Sequence, residues 1–154
     1  MNLIKRYLNR VFIDGLSGMA LGLFATLIVG TIIQQIANLI GGDIGALLFQ
    51  VGKVAAAMTS AGIGVGVAYK FKESPLVVLS AATAGMIGGF AGKILAGTVL
   101  VDGAIVLAGP GEPLGAFIAA YVAIEVGHLV SGKTKIDILV TPIATIASGA
   151  AIGL

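Results

Sequence analysis

Two short stretches hold the residues best equipped for chemistry. The first is VLVDGAIVLAGPGEPLGAF (residues 99–117). It carries Asp102 and Glu112 among Gly103, Gly109, Gly111 and Gly115, with Pro110 and Pro113 breaking the chain twice. Carboxylates accept hydrogen bonds from hydroxyls, and glycine lets a ligand approach the backbone closely. Asp102, Gly109, Gly111 and Glu112 are therefore candidate contacts for a small polar solute. The second stretch holds Glu125 and His128, three positions apart and so on one face of a helix. Two readings of this pair stay open. It lines a path for solute or protons, or it sits at a helix end reached by water just before Ser131 and Lys133. No cluster of metal ligands accompanies the pair and the chain has no cysteine, so neither a metal site nor a cofactor is expected. No nucleophile–base constellation is visible, which argues against a self-contained enzyme.

The elements that must position these residues follow from composition. The 154 residues are 58% hydrophobic and only 10% charged, with a mean hydropathy of +1.10. A soluble domain is about 25% charged, so this chain has too few charges to cover a soluble surface. The composition predicts an integral membrane protein. Net charge is only +2 and the basic residues are scattered, which argues against nucleic-acid binding. Five apolar runs approach the roughly 20 residues needed to cross a bilayer as a helix: 15–37, 44–69 (interrupted by Lys53), 75–99, 114–130 and 138–154. The run after the basic N-terminus is too long for a signal-peptide core and is read as a retained first helix. The expected fold is all-α: a polytopic transmembrane bundle of about five spans, one domain over 1–154, with a broken or re-entrant segment around 99–113.

Charge sets the expected orientation. Lys5, Arg6 and Arg10, then Lys70 and Lys72, then Lys133 and Lys135 fall on one side if the helices alternate. The positive-inside rule makes that side, and the N-terminus, cytoplasmic. Lys53 lies about nine residues into its run, where it either snorkels or pairs with an acid such as Asp102 or Glu112. Asp14 is expected to favour the positive N-terminal end of the first helix. Gln34, Gln35 and Asn38 are read as interfacial. Glycine pairs at helical spacing, such as Gly18 and Gly22 or Gly62 and Gly66, suit close helix packing. For residues 99–117 two readings stand: an exposed connector whose glycines and prolines only make turns, or backbone folded at depth, which is tolerated only where it lines a cavity or is buried by protein.

Several phrases also resemble a known family. FIDGLSGMALGLFATLIVGTI (12–32), AGIGVGVAYK (61–70), AGTVLVDGAIVLAGPGEPLGAFIAAY (96–121) and SGKTKIDILVTP (131–142) are similar to the bacterial phosphotransferase-system sugar transporter subunit IIC family, which includes perfringolysin-regulator-like proteins. The resemblance implies a permease domain of the bacterial plasma membrane that moves a sugar. Separate IIA and IIB components would supply phosphate. It also implies a longer parent, of which this chain is the N-terminal half, in keeping with a fifth helix that ends without a polar flank. Glu112–Pro113 is similar in type to the glutamate–proline hairpin with which several IIC families bind sugar hydroxyls, although the surrounding residues differ. A homo-oligomer is expected. The alternative function is a non-transporting membrane regulator or sensor built on the same fold.

Overall fold

The computed structural model describes residues 2–154. One continuous helix, α1 (Leu3–Ile40), opens the chain. It begins twelve residues before the apolar run does, because the amphipathic segment IKRYLN is helical without being hydrophobic. Asp14 therefore lies inside α1 and not at its N-terminus, a correction to the sequence reading. Two stretches of α1, Arg10–Gly15 and Phe24–Ile28, are π-wound. Gly41 and Gly42, both with positive φ, then reverse the chain in a turn that a side-chain-bearing pair would adopt only under strain.

The second run is bent. Helices α2 (Gly42–Ala57) and α3 (Thr59–Lys70) meet at 49°. The break falls at Met58 rather than at Lys53. Its cause is local: the Thr59 hydroxyl donates to the Ala56 carbonyl at 2.6 Å, competing with the backbone ladder. Helix α4 (Pro75–Gly89) starts with proline at a first-turn position, where its missing N–H costs nothing. It stops ten residues short of the expected end, after Gly88–Gly89. The freed Gly89 carbonyl is taken by the Glu112 N–H at 2.7 Å. A short helix, α5 (Ala91–Leu95), follows. Then comes a two-stranded antiparallel hairpin, β1 (Leu100–Val101) and β2 (Ala104–Ile105). Helices α6 (Pro113–Val130) and α7 (Asp137–Gly153) complete the chain.

The hairpin is the element composition did not foresee. Asp102 and Gly103, both at positive φ, form its two-residue turn, which suits the Asp-Gly preference of such turns. Gly103→Val forces a branched residue to φ +80 and is expected to cost the hairpin about 1–2 kcal/mol. Hydrogen exchange at the Val106 N–H, which closes on Val99 O at 2.7 Å, should then speed up while the thermal midpoint of the bundle stays put.

Helix α3 is the hub, packed on α1, α4 and α6, while α4, α6 and α7 pack on one another. The shared core is Ile63 and Val67 of α3, Val77 and Ala81 of α4, and Ala116, Phe117, Ala120 and Ile124 of α6. Lipid tails are as apolar as these side chains, so close van der Waals approach rather than water exclusion holds the helices together. Small residues provide it. Gly18 and Gly22 of α1 face Gly66 and Gly62 of α3 backbone to backbone, and Gly64 faces the Ala81 carbonyl. The outer surface is greasy: Leu39, Ile44 and Ile138 are 87%, 72% and 72% exposed. That suits lipid and not water. By length and composition α1 and α6 can each cross a membrane, and bent α2–α3 can form a third crossing, while α4 and α7 are apolar but shorter.

Candidate functional site

Helix α6 carries one polar group near each end. Glu112 caps its N-terminus: the carboxylate accepts from the Leu114 N–H at 3.0 Å and from the Gly115 N–H. Glu125 lies thirteen residues on, so the two levels are about 20 Å apart along the axis.

The Glu112 level is built from three segments. The Ser60 hydroxyl, at the start of α3, donates to the Pro110 carbonyl at 2.7 Å. The Glu112 N–H donates to Gly89 O at the end of α4. Gly111, at φ +76, lies against Ser60 and the buried ring of Phe90, where a Cβ would collide with the Ser60 hydroxyl. The chain around 110–112 is thus docked on the helix ends and is not a free loop. The Glu112 side chain nonetheless remains exposed.

Its height can be read from α1. Thr26 of α1 and Thr59 of α3 share a hydroxyl hydrogen bond at 3.2 Å, which puts Ser60 at the level of Thr26. Thr26 is sixteen residues above Arg10 and fifteen below Gly41, about 24 Å and 22 Å at 1.5 Å per residue. The stretch from Arg10 to Asn38 comes to about 42 Å, the thickness of a bilayer with its headgroups. The Pro110–Glu112 junction therefore falls near the middle of the membrane-spanning length of α1.

The second level joins four ionisable side chains. Arg10 of α1 donates through Nε to Glu125 Oε1 at 2.7 Å and through Nη2 to Glu73 Oε1 at 3.3 Å. His128 Nδ1 lies 2.9 Å from Glu73 Oε2. The Glu73 side chain is only 4% exposed, whereas Arg10 and Glu125 are each about a third exposed. The Arg10 guanidinium also stacks over Phe71, 4.0 Å from the ring centre. Desolvating Glu73 is tolerable because a fixed guanidinium fork and an imidazole serve it. Beside the network opens a cleft of about 680 Å³, whose walls include Arg6, Tyr7, Arg10, Asp14, Glu125 and His128. The two turns carrying Lys70 with Lys72 and Lys133 with Lys135 meet at the same end, where the Ser74 and Ser131 hydroxyls are 2.8 Å apart.

The sequence candidates thus separate. Gly111 and Glu112 sit together at mid-height. Gly109, at φ +88, is on the exposed approach to them. Asp102 occupies the exposed hairpin turn, and among the described residues it makes no hydrogen bond with Glu112. Glu125 and His128 share one network at the basic end. Lys53 pairs with neither Asp102 nor Glu112. It is exposed on α2, with its Nζ 5.9 Å from the Phe49 ring centre. Sequence reasoning missed Arg10, Glu73 and Ser60, whose partners lie 115, 63 and 50 residues away in the chain.

A helical bundle with an apolar outer surface, non-helical backbone and a carboxylate at mid-height, and a cluster of ionisable side chains at one end has the architecture of a polytopic membrane protein. Residues 13–154 match the family described as "Phosphotransferase system, EIIC", and the chain belongs to that family. No curated protein and no solved structure gives a significant match.

Proposed function

We propose that this chain binds a small polar solute, a sugar, at the Glu112 level and passes it toward the basic end, which faces the cytoplasm of a bacterial cell. One observation carries the reading. Glu112 is exposed, yet its backbone stands at mid-height of the membrane-spanning helix. An exposed carboxylate at that depth faces water rather than lipid, and non-helical backbone there is tolerated because Ser60, Gly89 and Phe90 bury it. In this reading the carboxylate edge left free by the cap accepts sugar hydroxyls, and Gly109 and Gly111 allow close backbone approach. Glu125 and His128 form secondary contacts about 20 Å further on. Asp102 lies apart on the hairpin as an outer contact. Family membership supports coupling to phosphoenolpyruvate-driven phosphotransfer through separate IIA and IIB partners, as well as assembly of several copies.

Glu112→Gln tests the site cleanly. The amide oxygen keeps one of the two cap bonds from the first turn of α6, so folding should hold, while the charge is lost. The expected result is an unchanged melting profile with sugar uptake by proteoliposomes reduced at least tenfold, about 1.4 kcal/mol of lost interaction. Unchanged uptake removes Glu112 from the site. Uptake is measured with and without phosphotransfer components. Sugar accumulation only in their presence supports the phosphotransferase coupling, and no uptake under either condition favours a regulator.

A further inference from the structure

Another cleft lies apart from both polar levels and is apolar. A cleft of about 430 Å³ runs between α4, α5 and the hairpin, a size typical of small-molecule sites, which span about 300–1,000 Å³. Its walls include Met86 and Ile87 of α4, Ile94 of α5, and Leu100 and Ile105 of the hairpin. Leu100 and Ile105 are cross-strand partners, yet they stay 64% and 70% exposed. The protein leaves this open cleft unfilled. An apolar space of this kind is a poor host for water, which needs polar partners.

Depth and charge say what fills it. Met86 and Ile87 lie eleven and twelve residues beyond Pro75, about 16–18 Å above the basic end, and so within the hydrocarbon layer of about 30 Å. The medium there is acyl chain. Six residues beyond Ile87 comes Lys93, the one basic residue in the connection from α4 to α6. It is exposed, and its Nζ donates to Ala108 O at 2.9 Å, leaving two of its three N–H groups free. Its long stem can carry that charge outward to a headgroup.

We propose that the cleft holds an acyl chain of an anionic phospholipid, with Lys93 on the lipid phosphate and the hairpin closed over the tail. None of its named walls is one of the proposed sugar contacts, although the hairpin that closes it also carries Asp102 at its turn.

The full chain is reconstituted in nanodiscs of phosphatidylcholine. These are doped with a phospholipid bearing a photoactivatable diazirine in its tail, with either a phosphatidylglycerol or a phosphatidylcholine head. Adducts should concentrate on the peptides holding Met86–Ile87 and Leu100–Ile105. The control is a peptide of the arm that α2 forms with the upper half of α1, holding Leu47 and Val51, which are similarly exposed at 65% and 55%. The glycerol head should label more strongly. Ile87→Trp should fill the cleft and abolish the hairpin adducts. Ile105→Gln, outside the helix bundle, should do the same if the first variant misfolds. Lys93→Gln should make the two probes label alike. Even labelling of cleft and arm overturns the proposal, as does hairpin labelling that survives both cleft variants. Equal labelling by the two heads in the unmodified protein overturns the assignment to an anionic lipid.

Discussion

Gly64→Ala is expected to unfold the bundle far more than a single methyl suggests. The new Cβ would fall onto the Ala81 carbonyl, a backbone atom that cannot rotate away. Helices α3 and α4 must part, and α3 also carries the contacts to α1 and α6. Overpacking a core typically costs about 1–3 kcal/mol, and here the movement spreads to every neighbour of the hub, so the upper end of that range or beyond is expected. The control is Gly92→Ala in α5, where an added Cβ meets nothing within 4 Å. Thermal unfolding in detergent should show a much lower midpoint for the first variant and little change for the second. Equal midpoints would mean that α3 and α4 are not held by this approach.

Arg10→Met should be the most damaging single change among the charged residues. It leaves Glu73, 4% exposed, with His128 as its remaining ion partner. Removing one member of a buried pair costs about 3–5 kcal/mol. Because Arg10 is itself about a third exposed, the low end of that range is expected. The diagnostic is the double variant. Arg10→Met with Glu73→Gln has no stranded charge and should recover much of the loss, giving a coupling energy well above the about 0.3–0.5 kcal/mol scatter of independent sites. Arg10→Lys should fall between, since a point charge cannot reach Glu73 and Glu125 with one planar fork and cannot stack on Phe71 in the same way. Additive effects in the cycle would reduce the network to unrelated surface charges.

Where residue type alone dictates the backbone, the helices were readable. Helix α6 was expected at 114–130 and runs Pro113–Val130, and α7 was expected at 138–154 and runs Asp137–Gly153. Proline and charged turns punctuate both. Boundaries slipped where hydropathy is blind. It cannot see that the polar segment before residue 15 is helical, nor that α4 ends because a distant Glu112 N–H captures the Gly89 carbonyl. The Asp-Gly pair flanked by Val101 and Ala104 carries a hairpin signal, but its strands are two residues each and lie within an apolar stretch.

The candidate site was half legible for a similar reason. Helical spacing was enough to put Glu125 and His128 on one face, and the proline pair marked 110–113 as a special backbone. Which cation joins Glu125, and which acid joins His128, depends on how α1 and the α3–α4 turn come to rest against α6. A one-dimensional pattern has no term for that. The acid in KFKESP looked like one charge among lysines until the fold buried it.

The unequal heights of the helices have a consequence for the surrounding bilayer. From Arg10 upward α1 reaches a full membrane thickness, with α2 beside its upper half, whereas α4 has 15 residues, about 22 Å of helix. Lipids beside the arm can stand at their normal length. Those beside α4 meet a shorter helix and must compress, or tilt their neighbours, at fractions of a kcal/mol per Å of mismatch. The protein therefore sits on a slope in the membrane, and a thinner bilayer relieves one flank while straining the other. Lipid thickness becomes a force on the angle between arm and bundle, transmitted through the bend at Met58.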